Sequence, residues 1–202
     1  MHIEPGVVDG AKMVLAYGTA AAAGGYSLKL AADDLKSHSA ISFGVRSVLA
    51  VAAVFLFFEV FPHFAVGISE VHFILGTTIL LLLGAGPAAV GLAGGLLVQG
   101  MFFAPTDMPM FFVNVTTLLF PLFAIDALAK RIIPEQKAFV DCNYSEVLKL
   151  SLAYQGGVIA WDTTFSWNLE TLSIGTASTL LSSPASSVIF STAIGLQRIT
   201  EP

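Results

Sequence analysis

The feature that most constrains this chain is a run of 36 residues, Val71 to Thr106, without a single Asp, Glu, Lys or Arg. A helix rises about 1.5 Å per residue, so about 20 apolar residues cross a hydrocarbon core of roughly 30 Å. Only 11% of all residues are charged, whereas soluble domains carry roughly 25%. We therefore predict an all-α protein, a polytopic transmembrane helical bundle of six to seven helices embedded in a lipid bilayer.

The long run must hold two helices, because Gly84-Ala85-Gly86-Pro87 interrupts it. Six spans are predicted, at about Ala11 to Ala32, Val45 to Pro62, Val71 to Leu83, Ala88 to Phe103, Phe111 to Leu128 and Val147 to Trp161. Residues 162–202 are rich in Ser and Thr and are expected to form either a seventh helix or a poorly ordered tail. This pattern divides the chain into a membrane domain, 1–161, and a divergent C-terminal segment, 162–202.

The basic residues predict how the bundle is oriented. Lys29, Lys36 and Arg46 flank the first connection, and Lys130, Arg131 and Lys137 follow the fifth span. Four crossings separate these two connections, so they share a side, and cytoplasmic connections are enriched in Lys and Arg. The N-terminus, His63 and His72 are then expected at the outer face. The net charge of -5 argues against nucleic acid as a partner.

Two histidine-containing segments predict metal chemistry at that face. Met1-His2 offers an amine, an amide nitrogen and an imidazole in sequence, a chelate that suits ions such as nickel and copper. His72 lies in an uncharged span, where ionisable groups usually face a cavity or a partner. The alternatives are that a histidine at position two has no special role, and that His72 is an ordinary interfacial imidazole.

Other polar residues are candidates to support such a site or to give ions access to it. Glu70 lies two residues before His72, and His63 follows Pro62 in a connection where a solvated role is also expected. Asn114 is expected either to hydrogen-bond a ligating imidazole or to join two helices.

Several kinds of site are missing from the sequence. It contains no Gly-rich phosphate loop, no nucleophile elbow and no His-Glu-x-x-His motif. The single cysteine, Cys142, excludes a disulfide or a thiolate cluster within the chain. We therefore expect no enzyme and no ATP site, and active transport would take its energy from a partner or an ion gradient. An intramembrane enzyme has little support.

The chain resembles the substrate-capture membrane subunit of cobalt and nickel energy-coupling-factor transporters, the CbiM/NikM type. The resemblance rests on four pieces in order, which are Met1-His2-Ile3 with Gly6, Ser69-Glu70-Val71-His72 with Leu75-Gly76, Gly86-Pro87 with the segment 96–103, and Asn114. It departs from the family pattern at Gly67-Ile68-Ser69-Glu70-Val71-His72, at residues 104–108, at Phe112-Val113-Asn114 and beyond Trp161.

The resemblance implies that Met1, with its amine retained, His2 and His72 bind divalent cobalt or nickel as the transported substrate. It also implies three partners: a coupling transmembrane protein, a cytoplasmic ATPase pair and a small accessory membrane subunit. The location would be the plasma membrane of a bacterium or archaeon, and the ion would often supply cobalamin or nickel-enzyme biosynthesis. The alternative function is a membrane scaffold subunit that has lost metal binding.

Overall fold

The computed structural model describes residues 2–3, 8, 10–60, 64–66, 69–71, 75–133 and 141–166. Residues 1–165 form one compact unit, and nearly all of the second unit, 166–202, lies outside the described residues. The described helices are α1 (Gly10–Ser37), α2 (Ala40–Phe55), α3 (Gly76–Leu83), α4 (Ala85–Phe102), α5 (Phe111–Ile132) and α6 (Tyr144–Ser166). A π-helical turn, Leu56–Val60, follows α2, and a 3-10 segment, Pro105–Met110, precedes α5. Three short strands are β1 (His2–Ile3), β2 (Phe64–Val66) and β3 (Ser69–Val71).

The predicted helical membrane bundle is confirmed. Three helical segments of the described chain are long and apolar enough to cross a bilayer, namely Ala40–Glu59, Ala85–Phe102 and Pro105–Ile132. The seventh predicted helix lies outside the described residues and stays a prediction.

The third predicted span is shorter than the sequence pattern indicated. Residues 69–71 form a strand instead of the start of a helix, and α3 begins at Gly76 and ends at Leu83. Local composition favoured a helix here because it contains no information about the N-terminal strand that pairs with these residues.

Glycine residues allow a tight turn between two helices and a close contact between two others. The α3–α4 hairpin turns at Gly84, whose φ of 89° favours glycine. Between α2 and α4, a Cβ added at Gly91 would overlap Ala50, and one at Gly95 would lie 2.6 Å from Val54 Cγ1. These glycines let α4 pack directly against the backbone of α2.

Charged residues gather at one end of the bundle, which we call the Arg46 end. Arg46 donates two hydrogen bonds to the Asp34 carboxylate, at 2.5 and 3.0 Å, and a third to the Leu83 carbonyl oxygen at 2.8 Å. The Asp34 and Arg46 side chains are only 10% and 19% exposed. This cluster joins α1 and α2 to the end of α3.

Ring contacts show that α1 and α5 run in the same direction. Tyr17 meets Phe112 at a centroid distance of 5.3 Å, and Tyr26 meets Phe123 at 4.6 Å. Lys130 and Arg131, at the end of α5, therefore lie toward the Arg46 end, as the predicted sharing of one side by the two basic connections requires.

The opposite end, which we call the Ile3 end, contains the N-terminal strand. Buried residues Ile3, Val8, Ala16, Met110, Val113 and Phe165 form one apolar cluster there. Lys12 also lies at this end, opposite the side to which the other basic residues assign the cytoplasm, and its Nζ donates to the carbonyl oxygen of Phe165 at 3.1 Å. A lysine at the last turn of a helix is stabilised by the carbonyl groups exposed there. The position of Lys12 thus has a local explanation.

Candidate functional site

A three-stranded sheet brings together the two segments that were predicted to bind metal. Its strand order is β1-β3-β2, and β1 pairs antiparallel with β3 so that His2 lies opposite Glu70 and Ile3 opposite Ser69. Opposed Cα atoms in such a ladder lie about 4.5–5.5 Å apart. The backbone of His2 is therefore next to Glu70, two residues before His72 in sequence.

Several predicted residues lie outside what the structure describes. These are Met1, His63 and His72, together with the side chains of His2 and Glu70. Within the described residues, no three His, Cys, Asp or Glu side chains are grouped closely enough to hold a metal ion. The predicted ligand set therefore stays a prediction, while the strand pairing is observed.

Asn114 fixes the N-terminal strand to α5. The backbone N–H of Ile3 donates to Asn114 Oδ1 at 2.8 Å, and the two residues are 0% and 1% exposed. A buried N–H requires an acceptor, which the asparagine amide oxygen supplies. The bond that the structure gives Asn114 is therefore to the backbone of Ile3, an acceptor role that the sequence analysis had not specified.

Helix α6 is held against α5 close to this contact. Trp161 Nε1 donates to Thr116 Oγ1 at 3.2 Å, and the Trp161 ring stacks on Phe120 with a centroid distance of 4.3 Å. One turn further on, Phe165 packs in the same cluster as Ile3. The N-terminal strand is thus bonded to α5, and its Ile3 shares an apolar cluster with Phe165 of α6.

A small cavity adjoins Asn114. It has a volume of about 10 Å³, enough for roughly one water-sized molecule. Its walls are Leu96, Gln99, Gly100, Asp107, Met108, Phe111 and Asn114. The surface of this cavity is almost entirely apolar, although the buried Gln99, which is 4% exposed, is one of its lining residues. The cavity lies between α4, the 3-10 segment and the asparagine that holds the N-terminal strand.

Asp162 lies just beyond the predicted end of the sixth span and was not among the predicted site residues. That span was predicted to end at Trp161, but α6 continues to Ser166. Asp162 is 5% exposed, four residues after the buried Val158 and three before the buried Phe165. That spacing puts its carboxylate on the face that α6 buries. The sequence itself shows this spacing, because an ionisable residue, Asp162, falls at helical intervals from the apolar Val158 and Phe165.

Two further observations come from comparison with known proteins. The family model CbiM, described as the cobalt uptake substrate-specific transmembrane region, matches residues 2–199. No curated protein and no solved structure matches the chain.

Proposed function

This chain belongs to the family of cobalt uptake substrate-specific transmembrane regions, and on that premise we propose that it captures divalent cobalt or nickel for an ATP-driven importer. The observation that carries the proposal is the pairing of His2 with Glu70 in the sheet. Continuing that register by one residue would bring position 1 level with position 71, beside His72. Cobalt uptake is the activity that the family description states, and nickel and the energy-coupling-factor partnership are parts of the proposal.

The proposed ligands are the Met1 amine, the amide nitrogen and imidazole of His2, and the imidazole of His72. The burial of Ile3 and its bond to Asn114 support this set, because they hold the chain start inside the bundle instead of in solvent. Fixing the strand before the ion arrives lowers the entropy lost on binding. The proposal requires Met1 to be the first residue of the mature chain, which an intact-mass measurement tests.

Affinity alone does not choose between cobalt and nickel, because nitrogen ligands bind nickel more tightly than cobalt at most sites. The geometry of the site and the availability of each ion decide which one is bound. An amine, a deprotonated amide and two imidazoles give four nitrogen donors, the set that tetragonal nickel and copper favour. Glu70 and His63 are proposed to lie near the access route for the ion.

Metal titration of the purified full chain tests the proposal. Wild type should bind nickel and cobalt, and binding should be much weaker in His2→Ala, in His72→Ala and in a version with Gly-Ser added before Met1. His38→Ala is the matched control, because His38 is an exposed histidine beside Asp34 at the Arg46 end. Unchanged affinity in all three altered proteins would reject the ligand set. Absence of binding by wild type, with retained co-purification of a coupling protein, would favour the scaffold alternative.

We also propose that the chain works with a coupling transmembrane protein, a cytoplasmic ATPase pair and a small accessory membrane subunit in a prokaryotic plasma membrane. Support comes from α1, where a Cβ added at Gly18 or Gly25 would meet no atom within 4 Å. Small residues on an open helix face let another membrane helix approach closely. Ala22→Leu on this face should reduce co-purification of the coupling protein, whereas Val48→Leu on the exposed face of α2 should not.

A further inference from the structure

A carboxylate occupies a position in α6 where the pattern calls for an apolar side chain. The buried face of this helix consists of Leu150, Tyr154, Val158, Asp162 and Phe165. Four of these residues are 0–1% exposed and Asp162 is 5% exposed. Removing an ionised carboxylate from water is costly, and in membrane proteins such residues face a cavity or an ionic partner.

The surroundings of Asp162 connect it with the start of the chain. Its helix neighbour Trp161 bonds to Thr116, and Phe165, one turn along, packs with Ile3. Asp162 and Phe165 share the buried face of α6, so the carboxylate lies one helical turn from a residue of the apolar cluster that contains Ile3, the residue after His2.

We propose that Asp162 compensates the charge of the captured ion and so raises the affinity of the site for divalent cations. This inference rests on the proposed function. The proposed ligands are neutral except for one deprotonated amide, so a bound divalent ion would leave a net charge of about +1 in a buried site. One carboxylate nearby neutralises that charge. Asp162 acts through space and is not itself proposed as a ligand.

The deciding experiment is a titration of nickel and of cobalt into the detergent-purified full chain. Asp162→Asn keeps the shape and removes the charge, and we expect it to bind at least about tenfold more weakly, as loss of a unit charge in a partly desolvated site implies. Asp162→Glu keeps the charge and should remain within about threefold of wild type by the same argument. Asp162→Ser is a smaller neutral variant that should match Asp162→Asn.

Asp126→Asn is the matched control. Asp126 is also a buried carboxylate, 6% exposed, but it lies on α5 toward the Arg46 end and pairs with Lys130 at 2.6 Å. Its loss should leave metal affinity unchanged. Thermal unfolding without metal, measured for each variant, separates an effect on the fold from an effect on binding.

Two outcomes would overturn the inference without touching the proposed function. One is wild-type affinity in both neutral Asp162 variants while His2→Ala binds much more weakly. The other is a purely structural partnership with Lys12, in which Lys12→Met and Asp162→Asn lower the unfolding temperature equally and leave metal affinity intact. Failure of the wild-type chain to bind either ion would instead remove the proposed function, and this inference with it.

Discussion

The backbone amide of Ile3 and the side chain of Asn114, 111 residues apart in sequence, are joined by a buried hydrogen bond of 2.8 Å. Together with the pairing of β1 with β3, this contact holds the N-terminal strand against the helical bundle. The geometry of any ligand supplied by Met1 or His2 therefore depends on a residue that does not itself need to touch the ion.

Replacing Asn114 by Leu tests this dependence. The Ile3 N–H would lose its acceptor inside the protein, which costs about 1–3 kcal/mol. We expect a lower unfolding temperature and weaker metal binding together. Thr117→Val is the control, because its hydroxyl is buried but bonds only to Val113 in its own helix, at 3.0 Å. If Asn114→Leu binds metal as tightly as the control does, the N-terminal strand is not held by this bond.

Much of the fold follows from the sequence because hydrophobic length is a local property. The uncharged run and the Gly84 turn predicted the α3–α4 hairpin, and the predicted fourth and fifth spans agree with α4 and α5 to within four residues at each end. The small sheet could not be predicted, because β1 and β3 are stabilised by pairing with each other across 66 or more residues. Neither strand is long enough to produce an alternating pattern of its own.

The candidate site was only partly accessible to sequence reasoning for the same reason. His2 and His72 can be chosen by residue type, since few residues other than histidine bind late transition metals through nitrogen. The function of Asn114 depends on which backbone group reaches it, and that is a tertiary fact. Asp162 was missed because the predicted helix ended five residues too early, at Trp161, so the register of Asp162 with Val158 was not considered.

The Arg46 end should be sensitive to loss of a single charge. Arg46→Met would leave the Asp34 carboxylate, which is 10% exposed, without its main partner, and would remove the bond to the Leu83 carbonyl. Removing one member of a buried ion pair costs about 3–5 kcal/mol, so we expect a markedly lower unfolding temperature in detergent. Lys36→Met is the control, since Lys36 and Asp33 form an exposed pair, and such pairs contribute about 0–1 kcal/mol. Equal stability of the two variants would show that the Asp34–Arg46 cluster does not join the helices.

Close packing of α2 and α4 predicts opposite effects of the same substitution at two glycines. Gly91→Ala would force its methyl group into Ala50 and should destabilise the bundle by about 1–3 kcal/mol. Gly24→Ala on α1 meets no neighbouring atom and should be neutral or stabilising by up to about 1 kcal/mol through helix propensity. Unfolding temperatures of the isolated subunit measure both. A stabilising Gly91→Ala would mean that the two helices lie further apart than described.

Acid should release the captured ion, because protons compete with metal for each nitrogen donor. Imidazole gains its proton near pH 6.5, so a site with two imidazoles should lose up to about a hundredfold in affinity per pH unit well below that value, beyond any change due to the amine and amide. Removing one imidazole should remove one proton from the competition, so the affinity of His72→Ala should fall about tenfold less per pH unit than that of wild type. Calorimetric titrations at a series of pH values give these slopes. The same slope in wild type and His72→Ala would mean that His72 binds no metal, whatever its effect on affinity at neutral pH.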